Sequence, residues 1–522
     1  MIRSMNIAWC VQRWSELYPQ KPALIFEEQT INYKQLNRRF NSTACWLQSI
    51  GIEKGDRIAV MLRNEPEFIE LYLACARLGA IFVPVNFRLV LHELAYILEN
   101  ARPRLFVFDP EYITMVEQLD LKNSLPPILL AVTSSDAAAG PIIDYNKATS
   151  SYEGRKPFLT KSLGPIDPEE PHVIMYTSGT TGQPKGAVLS HRKTFFNCLN
   201  ADIFFKLNFD DIMLVVLPLF HSGGLFIQAS PMLFKGGTMI IHRKFSPKKI
   251  FESINEYKVT KFLGVPTIYK ALIKYAPSVK DLNSLKVSAI GGELSSQELL
   301  LQCKKAGFPL RQVMGQTETS ILLWASEEAS IIKPGTVGCP VYHAEVNIVD
   351  QQGRTVSDGE VGEIVVRGSI MMTEYWRDPV RTEETIVNGW LHTGDLARRD
   401  SDGFFYLVDR AKNMYISGGE NVYPAEVEGV LRTFPGIADV AVIGVPDDTW
   451  GEVGHAFIVQ KPGADVSIEH LSDYLENKLA KFKRPHSYSF HDHFSRTSLG
   501  KIRKGVLKEE FLSNTPESNS DV

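Results

Sequence analysis

The chain has 522 residues, of which 44% are hydrophobic and 22% are charged, with 37 glycines and 29 prolines. These proportions are ordinary for a soluble globular protein and exclude collagen-like or wholly disordered chains, while the length predicts two to four domains. With 56 basic and 60 acidic residues, the net charge is −4, so no strong electrostatic field attracts the protein to nucleic acid. Small molecules are therefore the expected ligands.

Cysteine usage and the N-terminal segment bear on the compartment. The cysteines form no Cys-x-x-Cys pair and lie mostly among apolar neighbours, which favours reduced thiols over a disulfide or zinc framework. The N-terminal segment lacks a continuous apolar stretch and a small-residue cleavage site, so no secretory signal is predicted. We expect a cytoplasmic protein. The six cysteines are Cys10, Cys45, Cys75, Cys198, Cys303 and Cys339.

One apolar stretch has the length of a membrane span. Residues 212–234 contain no Asp, Glu, Lys or Arg. Pro218, His221 and Pro231 interrupt the stretch, however, and buried strands of a parallel sheet are also continuously apolar. We expect buried structure here and no transmembrane span, with peripheral membrane contact left open.

Strand and helix patterns alternate through the first half of the chain. Residues 30–47 have the periodicity of an amphipathic helix, 58–62 and 80–85 are apolar enough for buried strands, and 66–78 form a helix that Gly79 ends. The alternation continues with a helix at 91–99, a strand at 172–179 and a helix at 191–200. This pattern predicts an α/β fold with doubly wound, largely parallel sheets.

The remaining segments suggest the domain boundaries. Residues 120–171 have no firm periodicity and are interpreted as a connecting region. Short alternating strands with Gly and Asp turns predict a small β-rich subdomain at about 335–408, within an N-terminal domain of residues 1–411. Residues 412–512, with a helix at 468–479, are expected to form a small mobile α+β domain, and 513–522 a disordered tail.

Residues 176–186, with the sequence YTSGTTGQPKG, have the composition of an anion-binding loop. Glycines let the backbone approach a ligand closely, and exposed N–H groups in such turns bind anions. The segment does not match GxxxxGK[ST], because Lys185 follows a proline and precedes a glycine. A polyphosphate is the expected ligand, held by hydroxyl groups and backbone.

An ordered series of further motifs accompanies this loop. They are LPLFHSGG (217–224), GGE (291–293), MGQTET (314–319), GWLHTGD (389–395), DRAKNMYISGGENVYPAEVE (409–428) and RTSLGKIRK (496–504). Over nearly its whole length the chain thereby resembles the acyl-adenylate-forming superfamily of acyl-CoA synthetases, adenylation domains and luciferases. The resemblance implies that ATP converts a carboxylic acid into an acyl-adenylate with release of pyrophosphate, after which CoA takes the acyl group.

The resemblance also assigns roles at the nucleotide. It implies that Ser178, Thr180 and Thr181 hold the β- and γ-phosphates, that Thr317 contacts the α-phosphate and that Glu318 helps to bind Mg²⁺. Asp395 and Arg410 correspond to partners of the ribose hydroxyls. The other expected ATP- or AMP-binding residues are Thr177, Gly179, Gly182, Lys185, Gly291, Gly292, Glu293, Met314, Gly315 and Gln316.

Both steps are expected to involve the C-terminal domain. Lys501 corresponds to the catalytic lysine of adenylation, a cation placed where negative charge concentrates in the transition state. Lys412 matches the hinge about which the small domain rotates between the two steps. The residues that the resemblance places at the CoA channel are Ser417, Gly418, Gly419 and Glu420.

The resemblance also implies which residues bind the acyl group. They are His221, Gly223, Gly224, Val265 and Pro266. The two neighbouring glycines would leave room for an acyl chain, and the surrounding Phe220, Leu225 and Phe226 favour a fatty or aryl acid.

The sequence departs from its relatives' usual residues at four positions: Glu293, Met314, Asn413 and Ser495. Met314 stands where an aromatic side chain commonly stacks on adenine, although its polarizable sulfur can also cover a ring. We therefore expect ATP use with altered nucleotide affinity.

The leading hypothesis is an acyl-CoA synthetase for medium- or long-chain fatty acids, which uses ATP, Mg²⁺ and CoA. An aryl-acid CoA ligase and a non-catalytic nucleotide- or acyl-binding regulator remain alternatives. A peptide-synthetase adenylation module is less favoured, and a luciferase-like oxygenase is left open. The oligomeric state is not predicted.

Overall fold

The computed structural model describes residues 5–120, 128–131, 142–157, 166–177, 184–275, 282–292, 295–410, 413–417, 420–447, 450–476, 478–479, 481–496 and 500–514. The chain divides into two compact units. The first consists of Met1–Val346 with Val366–Leu391, and the second consists of Asn347–Val365 with His392–Val522.

The helices are α1 (Ile7–Leu17), α2 (Tyr33–Ser49), α3 (Pro66–Leu78), α4 (Leu91–Ala101), α5 (Ile113–Asp120), α6 (Tyr145–Ser150), α7 (His191–Phe205), α8 (Ser230–Lys235), α9 (Pro247–Tyr257), α10 (Pro266–Tyr275), α11 (Gln297–Lys305), α12 (Glu327–Ile332), α13 (Pro379–Thr385), α14 (Pro424–Leu431), α15 (Ile468–Glu476) and α16 (Lys504–Asn514). Short 3₁₀ turns include Pro110–Tyr112 and Lys481–Lys483, and Gly223–Ala229 forms a π-helical segment, here called the π-turn.

The strands are β1 (Pro22–Phe26), β2 (Gln29–Asn32), β3 (Arg57–Met61), β4 (Ile81–Pro84), β5 (Leu105–Phe108), β6 (Ile128–Ala131), β7 (Ile142–Asp144), β8 (Pro171–Thr177), β9 (Lys185–Ser190), β10 (Ile212–Val215), β11 (Thr238–Ile241), β12 (Lys261–Gly264), β13 (Val287–Gly291), β14 (Leu310–Gln316), β15 (Ser320–Ala325), β16 (Cys339–Pro340), β17 (Glu345–Val349), β18 (Gly362–Arg367), β19 (Glu374–Tyr375), β20 (Ile386–Val387), β21 (Trp390–Arg399), β22 (Phe405–Arg410), β23 (Tyr415–Ser417), β24 (Glu420–Val422), β25 (Ile437–Asp447), β26 (Gly451–Gln460) and β27 (Ser487–Phe490).

A nine-stranded sheet in the first unit has the order β16-β15-β14-β13-β12-β10-β11-β1-β2. Its central strands, from β14 to β1, are parallel, and antiparallel strands complete both edges. The apolar side chains of β10, β12 and β13 pack against helices α9, α10 and α11 in one core cluster. Because these central strands are parallel, their carboxyl ends lie on the same side of the sheet. The segments that follow β10, β12, β13 and β14 therefore all begin on that side.

The other large sheet of this unit has the order β19-β9-β8-β4-β3-β5-β6-β7. It is parallel from β8 to β7, while β9 and β19 are antiparallel. Strands β6 and β7 and helix α6 correct the interpretation of residues 120–171 as connecting structure only. Strands β6 and β7 have four and three residues, which is too short for a periodicity to be recognised in the sequence.

The second unit has its own apolar core. A five-stranded sheet of order β24-β23-β26-β25, with β27 parallel to β26, packs against α14 and α15. Residues 347–365 and 392–410 also belong to this unit, although the sequence assigned them to the N-terminal domain. The start of the mobile domain at residue 412 stays a prediction.

Comparison with the sequence predictions confirms the fold class, a mixed α/β fold with largely parallel sheets. Helix α3 ends at the predicted residue, with Gly79 in the left-handed region at φ +71°. Among the described residues, no helix combines the length and hydropathy needed to cross a bilayer. Residues 212–234 form β10, the π-turn and most of α8. Helix α16 continues to Asn514, two residues into the predicted tail.

Candidate active site

Thr317 and Glu318 lie in the tight turn between β14 and β15, and both are buried. Within the turn, the Thr319 N–H donates to the Gln316 carbonyl over 3.2 Å. Gly315 is required by close packing, because a Cβ there would lie 1.6 Å from the Ser320 carbonyl oxygen. The glycine therefore permits the bend that presents the two predicted nucleotide-site residues.

The Glu318 carboxylate has two described partners on β19 and β9. The Tyr375 hydroxyl donates to Glu318 Oε1 over 2.8 Å, and Lys185 Nζ lies 3.4 Å from the same oxygen. The Lys185 ammonium also donates to the Tyr375 hydroxyl and lies 4.1 Å from the centre of its ring. Burial, and then the charge of Glu318, raises the pKa of Tyr375, which keeps the hydroxyl a donor. A compact triad thus fixes the carboxylate.

Strand pairing brings Tyr375 and Lys185 together. Tyr375 pairs with Ala187 across β19 and β9, and the Trp376 N–H donates to the Gly186 carbonyl over 2.7 Å. Thr177 and Lys185 are register partners on β8 and β9. These two residues flank the predicted phosphate loop, so both of its ends are held by the sheet. The loop residues themselves, Ser178, Gly179, Thr180, Thr181 and Gly182, lie outside the described residues.

Most of the other predicted residues of the first unit lie at the carboxyl ends of the strands of the nine-stranded sheet. Val265 and Pro266 follow β12, Gly291 ends β13, and Gly292 follows it. Gly292 has φ +88°, and a Cβ on it would lie 3.2 Å from Val265 Cγ1, so these two positions are adjacent. Met314, Gly315 and Gln316 lie on β14, with the Met314 side chain partly exposed. Glu293 lies outside the described residues.

The π-turn follows His221, whose side chain is partly buried and whose N–H donates to the Pro218 carbonyl over 3.1 Å. A Cβ at Gly224 would lie 2.3 Å from the Pro218 carbonyl oxygen, so backbone packing requires a glycine there. At Gly223 a Cβ would meet only the Leu217 side chain, 3.1 Å away. The structure thus gives a packing reason for glycine at position 224, while the assignment of both glycines to the acyl chain stays a prediction.

In the second unit, Asp395 lies buried on β21 and pairs in register with Arg410 on β22. The Asp395 N–H donates to Thr393 Oγ1 over 3.1 Å. Glu363 accepts the Gly394 N–H over 2.8 Å and lies 2.7 Å from His392 Nδ1, which holds the segment before Asp395. This arrangement brings the backbones of the two predicted ribose partners together.

The predicted CoA and adenylation residues also lie in this unit. Ser417 and Glu420 are register partners on β23 and β24, with Ser417 buried and Glu420 exposed. Lys501 is exposed and follows Gly500, which has φ +90°. Arg496 Nη1 donates to the Gly500 carbonyl over 2.5 Å and so supports this bend. Lys412, Gly418 and Gly419, the hinge and CoA predictions, lie outside the described residues.

The sequence profile of AMP-binding enzymes matches residues 11–376, and that of the AMP-binding enzyme C-terminal domain matches residues 426–501. The chain belongs to the AMP-binding enzyme family. The first match alone spans more than half of the chain and contains Glu318, Lys185 and Tyr375. The predicted resemblance to acyl-adenylate-forming enzymes is thereby confirmed.

Three proteins illustrate the similarity. A feruloyl-CoA synthase from Amycolatopsis sp is 36% identical over 97% of this chain and 98% of its own length. A fatty acid–[acyl-carrier-protein] ligase from Streptomyces coeruleorubidus is 34% identical over 95% of both chains. The structure of o-succinylbenzoate coenzyme A synthetase from Bacillus subtilis, in complex with ATP and a magnesium ion, superposes with a TM-score of 0.83 at 31% identity, over 96% of this chain and 99% of that one.

The oxygen donors of this AMP-binding enzyme bear on its fit to Mg²⁺. Among the described residues, no group of three or more His, Cys, Asp and Glu side chains is placed to hold a metal ion. Mg²⁺ is usually bound by only one or two carboxylates, with substrate phosphates and water as the other ligands. The single buried carboxylate of Glu318, held by neighbours that leave its second oxygen uninvolved in the triad, fits that pattern.

Sequence reasoning missed several supporting residues of this enzyme. It predicted Lys185 as a phosphate ligand but not as a neighbour of Glu318, and it did not identify Tyr375 or Glu363. Tyr375 is 57 positions from Glu318 along the chain, and the two residues lie on different sheets that meet here, where the Met372 N–H also donates to the Glu318 carbonyl over 2.7 Å. A signal was available for Lys193 on α7, because Lys193, Asn197 and Asn200 have the spacing of one helical face.

Proposed function

We propose that this chain is an ATP-dependent acid–CoA ligase, which converts a carboxylic acid to an acyl-adenylate and then to its CoA thioester. The observation that carries the proposal is the Glu318 triad, a buried carboxylate oriented by Tyr375 and Lys185 at the turn that also presents Thr317. Family membership and the relatives' names support the same chemistry.

In the first step, the acid's carboxylate attacks the α-phosphorus of ATP and pyrophosphate leaves. We assign Thr317 to the α-phosphate and the hydroxyl-rich loop at 178–182 to the departing phosphates. Lys501 places a cation where charge accumulates on the carboxylate and the α-phosphate, a contribution made by positioning and electrostatics. Mg²⁺, held through Glu318, would neutralise phosphate charge when bound.

In the second step, the thiol of CoA attacks the acyl carbon and AMP leaves. AMP is a much better leaving group than the oxide that a free carboxylate would have to expel, which is why activation must come first. Asp395 and Arg410 are assigned to the ribose hydroxyls through both steps, since a carboxylate accepts and a guanidinium donates. Ser417, Gly418, Gly419 and Glu420 are assigned to the CoA channel.

We propose a hydrophobic acid as the substrate, with aryl acids favoured over fatty acids. Phe220 and Phe226 are buried, the Phe220 ring lies 6.5 Å from the His221 ring, and Phe87 meets the Phe220 ring edge to face at 5.3 Å. Such faces and edges suit an aromatic ring. The feruloyl and o-succinylbenzoate enzymes act on aryl acids. The fatty acid–[acyl-carrier-protein] ligase keeps a fatty acid as the second candidate.

The test is a screen for acid-dependent pyrophosphate release with Mg·ATP, with and without CoA. The panel contains benzoic, cinnamic, ferulic and indole-3-acetic acids together with fatty acids from acetate to palmitate. We expect release that depends on the acid, and AMP and thioester formation that depend on CoA. A preference for the fatty acids would select the second candidate.

Two controls make the screen decisive. The Lys501→Ala variant should lose adenylation but retain thioester formation from a supplied acyl-adenylate, because Lys501 is assigned to the first step only. Calorimetric binding of Mg·ATP without pyrophosphate release from any panel acid would contradict the ligase and favour a nucleotide-binding regulator.

A further inference from the structure

Lys193 is a fully buried lysine in the first turn of α7, and none of the predicted functions uses it. Its relative exposure is 0%, and its N–H donates to the N-cap hydroxyl of Ser190 over 3.2 Å. An ammonium group is costly to remove from water unless it is paired and hydrogen-bonded. A purely apolar packing role would be filled at lower cost by methionine or leucine, so the charge itself requires an explanation.

The ammonium contacts the nucleotide turn. Lys193 Nζ donates to Ser320 Oγ over 2.5 Å, and Ser320 is itself buried. Ser320 has φ +58°, a left-handed conformation that is unfavourable for a residue with a side chain. It pairs with Gln316, so Lys193 fixes the residue that closes the turn containing Thr317 and Glu318.

The same ammonium lies 5.1 Å from the centre of the Phe226 ring, in the π-turn next to His221. One helical turn further along the same face, Asn197 donates to the Phe226 carbonyl and accepts the Ile321 N–H over 3.5 Å. Lys193 and Asn197 therefore both join the π-turn to the start of β15. Helix α7 connects a segment assigned to the acid with the segment assigned to ATP.

The electrostatics agree with this geometry. Burial lowers the pKa of Lys193 to about 7, and the nearby Glu318 carboxylate opposes that shift. The positive charges of two lysines of the same unit thus act on the Glu318 carboxylate. Lys185 Nζ lies 3.4 Å from it, and Lys193 contacts Ser320 at the end of the same turn.

We propose that Lys193 is a positioning residue that holds the Thr317–Glu318 turn through the Ser320 hydroxyl and couples it to the acid-binding π-turn. The inference rests on the proposed function, since it assigns the turn to ATP and the π-turn to the acid. It places Lys193 in the adenylation step and not in thioester formation. Lys193 contacts neither substrate and acts through Ser320.

The primary test is Lys193→Met, which keeps the length and the apolar stem but removes the ammonium. Acyl-adenylate formation, measured in single turnover with Mg·ATP and the best acid of the panel, should fall about 10- to 100-fold, the range for losing a hydrogen bond to a charged group. Thioester formation from the supplied acyl-adenylate and CoA should stay within about twofold of the wild-type rate. Calorimetric Mg·ATP affinity should fall as well.

Lys261 offers a matched control, because it is another buried lysine of the first unit, on β12, with Asp211 at 3.4 Å. Lys261→Met should lower the melting temperature without separating the two half-reactions. Ser320→Ala provides a second variant, which keeps Lys193 and removes its acceptor. It should reproduce the adenylation defect, and the double variant should be no slower than Lys193→Met alone.

The outcomes distinguish the inference from the proposed function. Absence of acid-dependent pyrophosphate release from the wild-type enzyme would contradict the proposed function itself. With an active wild type, unchanged adenylation in Lys193→Met would overturn the inference, and so would equal loss of both half-reactions. If Lys193→Met does not fold, Ser320→Ala decides: a selective adenylation defect supports the inference, and wild-type behaviour overturns it.

Discussion

At the scale of single residues, the orientation of Glu318 depends on a hydroxyl that the sequence does not single out. The Tyr375→Phe variant removes the donor to Glu318 Oε1 while the ring remains beneath Lys185. We expect kcat/KM for Mg·ATP to fall about tenfold or more, because a hydrogen bond to a charged group is lost.

The matched control for this variant is Tyr269→Phe. Tyr269 is a buried tyrosine of the same unit, and its hydroxyl donates to the Ala289 carbonyl over 2.9 Å. This change should lower the melting temperature with little effect on kcat/KM for Mg·ATP. Comparable kinetic losses in both variants would show that Tyr375 acts only through general stability.

Two histidines in the core of the first unit predict a pH dependence of stability. The buried rings of His172 and His191 stack at 4.4 Å with an angle of 12°. Burial lowers the pKa of His191 to about 3, helped by the charge of Lys54, and lowers the pKa of His172 far below its usual value. In the unfolded chain both would titrate near 6.5. Acid therefore protonates the unfolded state preferentially, and stability falls as the pH decreases from about 6.5 toward 3.

The variant His191→Phe should make the free energy of unfolding less dependent on pH. The slope should fall by about 1.4 kcal/mol per pH unit in the range between about pH 6.5 and 3, where only the unfolded state takes up the proton on this histidine. The measurement is the melting temperature between pH 7 and 4. His493→Gln, at an exposed position of the second unit, is the control and should leave the slope unchanged. An unaltered slope in His191→Phe would refute the assignment.

At the scale of elements, local signals predicted some boundaries well and left others undetected. Helix α3 was predicted to the residue because Pro66 is favoured at its start and Gly79 supplies its left-handed cap. Strands β6 and β7 were missed because a few apolar residues at a sheet edge give no period. The π-turn was also missed, since its form depends on the approach of Gly224 to the Pro218 carbonyl.

The π-turn yields a prediction that separates packing from substrate room. In Gly224→Ala the new methyl group would overlap the Pro218 carbonyl, and backbone cannot move aside as a side chain does. We expect a cost of about 1–3 kcal/mol and reduced activity with every acid. Gly223→Ala should be mild, because the Leu217 side chain can rotate away. Melting curves and the acid panel provide the measurement.

A different result would favour the assignment of Gly223 and Gly224 to the acyl chain. If both variants keep the wild-type melting temperature and only shift the preference toward shorter acids, then Gly223 and Gly224 provide space for the acyl chain and not backbone packing.

At the scale of the whole molecule, the order of motifs along the chain predicts the family and the alternation of strand and helix patterns predicts the α/β fold, whereas contacts between distant segments come only from the structure. Glu318 was found from its motif, but Tyr375 and Lys193 contact its turn from 57 and more than 100 positions away. Such contacts depend on sheet order, which the sequence does not encode locally. The phosphate loop and Lys412 lie outside the described residues, so their roles stay predictions.

The hinge prediction belongs to this largest scale, because it assigns two steps to one small domain. Lys501 is assigned to adenylation, whereas Gly418, Gly419 and Glu420 are assigned to CoA, and the range of the second unit includes all four positions. A hinge concentrates the backbone rotation in a few residues, and proline fixes φ near −65°. Lys412→Pro should therefore leave acyl-adenylate formation near the wild-type rate and slow thioester formation strongly.

The variant Lys412→Ala is the appropriate comparison, since it removes the same side chain but leaves the backbone free to rotate. Rapid-quench measurement of acyl-AMP and of acyl-CoA, on one enzyme preparation, resolves the two steps. If Lys412→Ala behaves like Lys412→Pro, the side chain matters and not the rotation. If Lys412→Pro slows both steps equally, the domain does not turn about this residue, and the two half-reactions must be served by a single arrangement or by a hinge elsewhere in the chain.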